Sequence, residues 1–225
     1  MQKFIIIGAG GFAREVLDIF EACKDTGQNY EMIGYIVEAK YGEPGTLIND
    51  KPILGDFDWL SAHASEVQVI CAVGDPRLRK KLIQCARDCG ARFGSIIHPS
   101  AILTRHISQG EGIVIGAGCI LTNQIRIGNH VHINLDCTIG HDVILEDFAT
   151  LAPGIHVSGH VTLGEGCYIG TGSSIIDRKT IGPWSVVGAG SVVIADVPPY
   201  STVVGVPAKV IKTRKVNALN NSGGS

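Results

Sequence analysis

The chain has 225 residues, of which 45% are hydrophobic and 18% charged, with 29 glycines and a formal net charge of −2. That balance excludes a disordered chain, and the lack of a basic block argues against nucleic acid as a partner. No apolar run approaches the roughly 18 residues of a membrane span, and the opening stretch MQKFIIIG reads as a first strand rather than a cleavable signal.

The apolar run 3–7 leads straight into Gly8-Ala9-Gly10-Gly11, after which Val16, Leu17, Ile19 and Phe20 recur at helical spacing. Strand, glycine turn and helix open a Rossmann-like βαβ unit. The glycines let the backbone approach a phosphate, and the helix start offers free amides. Further strands are expected at 32–37, ending beside Glu38, at 67–73, and at 93–97. Gly74-Asp75-Pro76 should begin a helix that runs to about Cys89. The same glycine run, with Ala13 in the third glycine position and Glu38 as a ribose-binding acid, also fits a nicotinamide-dependent oxidoreductase. The plainer alternative is a turn that merely needs glycine.

His98-Pro99 marks the boundary of this unit, because a residue before proline is driven to extended backbone. From Ile115 to Val193 an aliphatic residue then returns at every sixth position, fourteen times without a miss. An α-helix carries every sixth residue round its axis, and a flat strand repeats every second residue. A short fixed period of this kind predicts a parallel β-helix with one stacked apolar core. The residue after the beat is often glycine, as at Gly116, Gly128 and Gly140, which suits a corner with positive φ. The fourth residue after the beat is small or β-branched, so Cys119, Cys137 and Cys167 are expected in the core. Residues 104–112 break the beat and should form an irregular coil, while Lys179 stands where a small inward residue belongs.

The beat ends near Pro198-Pro199, and Gly205-Val206-Pro207-Ala208-Lys209 closes the fold. The expected division is a nucleotide-binding unit at 1–97, a β-helix at 98–198, a closing segment at 199–214 and a disordered tail at 215–225. Seven cysteines without a C-x-x-C pair suggest a reduced, cytoplasmic location.

Reactive groups must stand at corners, since the interior of the coil is apolar. His141-Asp142 follows the corner glycine Gly140, and a stacking interval of eighteen puts Gly159 over His141, His160 over Asp142 and Asn123 beneath His141. An imidazole titrates near neutrality, and a neighbouring carboxylate can orient it, which suits a general base. A solvated corner histidine is the bland alternative. His130 and His132 form an H-x-H pair without evident partner carboxylates, so no metal is expected there. His106 and His156 are expected at the surface, and His98 at the junction. No G-x-S-x-G elbow occurs, which favours direct transfer without a covalent enzyme intermediate.

The glycine loop, Ile97-His98-Pro99-Ser100-Ala101, the six-residue repeat and Gly205-Val206-Pro207-Ala208-Lys209 together cover nearly the whole chain. In these features it resembles the sialic acid O-acetyltransferase and nucleotide-amino-sugar N-acetyltransferase family of hexapeptide-repeat acyltransferases. The resemblance implies an α/β N-terminal Rossmann-like domain followed by an all-β left-handed parallel β-helix. It also implies a homotrimer with sites between neighbouring β-helices, acetyl-CoA as co-substrate and no metal. Carried over residue by residue, it makes His141 the base and Asp142 its supporting acid. Gly10, Gly11, Phe12, Val37, Glu38, Gly74 and Asp75 would hold a nucleotide-linked sugar. Thr150, Gly159, Thr171 and Ala189 would line acetyl-CoA. Phe12 replaces a frequent histidine, Val37-Glu38 a typical Asp-Asp pair, and Thr150 a second histidine of some members. The implied reaction is N-acetylation of a nucleotide-linked 4-amino-4,6-dideoxy sugar, with UDP favoured. Sugar O-acetylation is the nearest competitor. An oxidoreductase would leave the long repeat without a task and lacks a Tyr-x-x-x-Lys in the first unit.

Overall fold

A computed structural model describes residues 1–214, so the tail expected at 215–225 lies outside the described residues. The first unit is an α/β sandwich. Its sheet is built from β1 (Gln2–Ile7), β2 (Tyr30–Ile36), β3 (Leu47–Ile48), β4 (Lys51–Gly55), β5 (Gln68–Cys71) and β6 (Arg92–Phe93), in the order β3-β4-β2-β1-β5-β6. All neighbours are parallel except β3 and β4. Helix α1 (Gly11–Asp25) buries Ala13, Val16, Leu17, Phe20 and Cys23 on one stripe. Helices α2 (Phe57–His63) and α3 (Pro76–Asp88) complete the unit.

From Ile96 the chain winds a left-handed parallel β-helix with three faces. The first face stacks Ile96–Ile97, Val114–Ile115, His132–Ile133, Thr150–Leu151, Tyr168–Ile169 and Val186–Val187. The second runs from Ile102–Leu103 through Thr138–Ile139 to Val192–Val193, and the third from Ile107–Gln109 through Ile144–Leu145 to Thr180–Ile181. Pairs such as Thr138↔His156 and Leu145↔Leu163 fix the eighteen-residue stack. The repeat residues fill the axis, and Cys119, Cys137 and Cys167 are fully buried among them.

Three expectations are corrected, and the place of Lys179 is settled between the two open to it. The strand expected at 93–97 is two short strands in different sheets: Arg92–Phe93 joins β5, whereas Ile96–Ile97 opens the β-helix ahead of His98-Pro99. The stretch 104–112 is not irregular throughout, because Ile107–Gln109 pairs with Ile125–Ile127. The six-residue spacing therefore extends back through Ile97, Leu103 and Gln109. Gln109 escapes the apolar rule because its strand is the edge of the third face, with no coil beneath it.

Positive φ, moreover, falls three residues after the beat, at positions such as Asp136 (56°), Asp142 (59°), His160 (58°) and Trp184 (57°). The glycines one residue after the beat answer a different need, close stacking. A Cβ on Gly140 would lie 2.7 Å from the Gly159 nitrogen, and one on Gly170 would lie 2.6 Å from the Ala189 nitrogen. Lys179, finally, does not break its coil, since its carbonyl still accepts from the Thr162 amide at 2.9 Å. The next coil is two residues short there, with Val197 rather than residue 199 bridging Ile181, and the Lys179 side chain is half-buried.

The first unit docks on the first face through α1 and α3. Arg79 of α3 is fully buried, and every hydrogen-bond partner it has is neutral. One guanidinium nitrogen donates to the Val73 carbonyl (2.8 Å) and to His132 Nδ1 (3.1 Å). The other donates to the Phe148 carbonyl and to Thr150 Oγ1, both at 2.7 Å. Burial pulls its pKa down to about 10, still cationic at neutral pH. The H-x-H pair belongs to this junction. An arginine can only donate, so His132 accepts at Nδ1 and is neutral. Burial first, and Arg79 second, hold its pKa well below the usual value. Burial and then Arg87 push His130 down to about 4.

Both histidines are neutral in the fold and titrate near 6.5 when unfolded. The unfolded chain therefore binds more protons between those values, and stability is lost as pH falls from about 6.5 to about 4. We expect a loss on the order of 3 kcal/mol from His130 alone, taking ~1.4 kcal/mol per pH unit. Denaturant unfolding at pH 7.5 and pH 4.5 measures it, and equal stabilities would exclude this coupling.

Candidate active site

Two separate places hold the residues singled out by the sequence. At the first, α1 begins at Gly11 with Gly10 as its cap, no capping side chain and no acidic residue in its first turn. Its leading amides are left free, as an anion requires. A cavity of about 610 Å³ opens in front of them. Gly10, Gly11, Phe12, Val37, Glu38 and Gly74 all line it. The ring of Phe12 packs 5.0 Å from that of His132, at the junction with the β-helix.

Asp75 does not line the cavity. Its carboxylate caps α3, accepting from the Arg77 and Leu78 amides at 2.8 Å each. Sequence reasoning missed Lys40, Tyr41 and Lys81, which line the same space. Lys40 lies two residues past the expected acid Glu38, and Lys81 in the second turn of the helix after Gly74. Both positions were signals available in the sequence. Lys40 bonds Glu38 at 2.7 Å, and this hydrogen bond and charge hold the Glu38 carboxyl below its usual range.

The second place is the corner between the second and third faces, at the edge opposite the docked unit. Thr138–Ile139 delivers Gly140 and His141 to the corner, and Asp142 turns the chain with left-handed φ. That turn brings Asp142 Oδ2 to 2.8 Å from His141 Nδ1. His160 stands one coil on, its ring 5.0 Å from that of His141 at 88°. The stacking expected at this corner is present, for the Asp142 amide donates to Asn123 and the His160 amide to His141.

Gly159 does more than leave open space, because the His141 imidazole occupies that space. A Cβ there would lie 2.6 Å from Cε1 and 2.7 Å from Nε2 of His141. Gly159→Ala is expected to keep the fold while displacing the exposed ring, lowering turnover at least about tenfold, since a misplaced catalytic group commonly costs more than that. Steady-state rates with an unchanged melting temperature are the measurement. Wild-type turnover would show that the ring's seat does not matter.

The residues expected to line acetyl-CoA are scattered over one chain. Gly159 shares the corner of His141, whereas Thr171 and Ala189 stack at the corner between the first and second faces, where the Gly190 amide donates to the Thr171 carbonyl. Thr150 is displaced from any open groove: it is 6% exposed and its hydroxyl accepts from Arg79. His141, Asp142 and His160 also place their ligating atoms within 4.8 Å of one another, a spacing a divalent ion can use. The carboxylate is already directed at His141 Nδ1, which leaves Nε2 as the free nitrogen of that ring.

Fold and corner together define an acyltransferase of the hexapeptide-repeat class. Residues 3–85 match the family described as the PglD N-terminal domain. Perosamine N-acetyltransferase from Caulobacter crescentus, solved with CoA and GDP-perosamine, is 32% identical, with 93% of this chain and 97% of that one covered at a TM-score of 0.85. The acetyltransferase domain of PglB from Neisseria gonorrhoeae, solved with acetyl coenzyme A, is 29% identical over 93% and 99% of the two chains, at a TM-score of 0.85. WeeI from Acinetobacter baumannii is 28% identical over 94% and 100%, at a TM-score of 0.84. No curated protein sequence matches the chain. The chain belongs to the nucleotide-amino-sugar N-acetyltransferases of the hexapeptide-repeat family. None of its helices is long and apolar enough to cross a membrane, among the described residues.

Proposed function

We propose that the protein transfers an acetyl group from acetyl-CoA to the 4-amino group of a nucleotide-linked 4-amino-4,6-dideoxy sugar, with His141 as general base. The amine nitrogen attacks the thioester carbonyl, the C–S bond breaks, and CoA leaves as thiolate. The proton lost by the nitrogen passes to His141 Nε2 and from there to the thiolate or to water. Asp142, bonded to Nδ1, orients the ring and stabilises its protonated form. That 2.8 Å bond, with the ring seated over Gly159, is the observation that carries the reading. Solved perosamine N-acetyltransferases include variants with one histidine replaced by asparagine or alanine, which supports attention to a histidine.

The nucleotide diphosphate is assigned to the cavity in front of α1, with Lys81 and Lys40 as its cations. UDP is the proposed nucleotide, from the family resemblance of the chain as a whole and not from Phe12 or Val37-Glu38, which depart from the family's pattern. GDP is the competitor, because a relative binds GDP-perosamine.

A homotrimer is part of the proposal. The cavity is lined only by residues 7–82, on the unit docked to the first face, while His141 stands at the opposite edge. Base and acceptor meet only if one copy brings its corner to the cavity of its neighbour. The same arrangement would place Gly159 of one copy near Thr171 and Ala189 of the next, gathering scattered acetyl-CoA contacts into one groove.

A panel of UDP-, dTDP- and GDP-linked amino sugars and sialic acid, each with acetyl-CoA and with or without EDTA, tests these assignments by thiol release. Turnover with a 4-amino sugar that survives EDTA is expected. Turnover only with a hydroxyl acceptor would overturn the amine reading, and activity lost to EDTA and restored by zinc would replace the base with a metal.

A further inference from the structure

Asp142 serves two imidazoles. Its Oδ2 lies 2.8 Å from His141 Nδ1 and 3.8 Å from His160 Nε2. Asp142 and His160 share a left-handed φ, 59° and 58°, and stack one coil apart, so their side chains leave the corner side by side. The His160 amide is held to the His141 carbonyl at 2.9 Å, and its ring stands perpendicular to that of His141, 5.0 Å away. The His141 ring therefore rests over Gly159, tied to Asp142 and walled by His160.

This enclosure matters because the pair it surrounds is open. The side chains of His141 and Asp142 are 60% and 43% exposed. A hydrogen-bonded pair so open to water is held weakly, and its long-lived geometry needs a further constraint. His160 supplies one on two sides: charge or an N–H towards Asp142, and ring contact against His141.

We propose that His160 is a positioning residue for the base, keeping Asp142 against His141 Nδ1 and keeping the His141 ring over Gly159. The proposal rests on His141 being the base. The charged groups facing His160 are Asp142 on one side and, one coil further, Arg178 and Asp177, which lie 3.7 Å from each other. The Arg178 amide donates to the Gly159 carbonyl, so that coil is stacked on the same ridge. Asn123 and Gln124, one coil below His141 and Asp142, carry no charge.

Steady-state kinetics of His160→Ala, His160→Asn and His141→Ala across pH 5.5–9 test the proposal. For His160→Ala we expect kcat to fall about tenfold, as for loss of orientation of a catalytic group. KM for acetyl-CoA and for the sugar should stay within about twofold, because neither substrate is assigned a contact with His160. His160→Asn keeps a donor towards Asp142 and should recover most of the rate; it also serves if the alanine variant folds poorly. An unchanged kcat in His160→Ala, with His141→Ala inactive, would overturn the positioning role and leave the base intact. A large rise in KM for acetyl-CoA would also overturn it, making His160 a binding contact. Near-normal turnover in His141→Ala would remove the base itself, and the proposal with it.

Discussion

Replacing His141 with alanine is expected to lower turnover by at least about a hundredfold while leaving the protein folded. The side chain is 60% exposed at a corner and its removal empties no core, so stability should change by less than about 0.5 kcal/mol. The amine would still be held near the thioester, and that proximity accounts for the residual rate. Loss of the acceptor for its proton raises the barrier to nitrogen attack. If the variant keeps an intact fold and near-normal turnover, His141 is not the base, and His160 becomes the candidate.

The second large effect is expected at Arg79. Arg79→Ala removes the charged donor from the Phe148 carbonyl and the Thr150 hydroxyl, which keep only their 3.4 Å bond to each other, and leaves the Val73 carbonyl and His132 Nδ1 without their donor. Leaving a buried acceptor without its donor typically costs about 1–3 kcal/mol, and several acceptors lose one here. Arg79→Lys should recover only part, because an ammonium cannot span acceptors on both units as the planar fork does. Denaturant unfolding followed by tryptophan fluorescence is a suitable measurement. Trp59 reports the first unit and Trp184 the β-helix, so loosened docking should separate transitions that coincide in the wild type. A loss below about 1 kcal/mol with a single transition would show that the units hold without this strut.

The β-helix was legible in the sequence because its signal is additive: each coil repeats the same demand, and fourteen repeats leave little else to fit. The corner site was legible for the same reason, since an interval of eighteen turns sequence positions into neighbours. His141 over Gly159 is such a case. What stayed hidden depends on contacts between unlike units. Nothing local in Arg79, Thr150 or His132 announces that they meet, because the docking of α3 on the first face decides it. The split of 93–97 between two sheets is equally non-local. Gly94 marks the spot, where a Cβ would lie 2.3 Å from the Phe4 ring, but glycine alone does not say which strand packs against it. Asp75 illustrates a local rule overlooked: an aspartate before proline at a helix start is first a cap.

The closing hairpin has a consequence for how copies can meet. A stack of parallel coils ends in open strand edges, which invite a further coil from another molecule. Here the upper end of the first face turns back on itself, with Ala208–Thr213 antiparallel to Ser201–Gly205 and carrying Lys209 and Lys212. At the lower end of that face α1 covers Ile96–Ile97, and Cys23 bonds the Ile97 carbonyl at 3.3 Å. The two ends of this face thus offer no matching register, and growth of the column by end-to-end addition is blocked along it. Along this face, the surfaces left open to another copy are the flanks, where the corners lie.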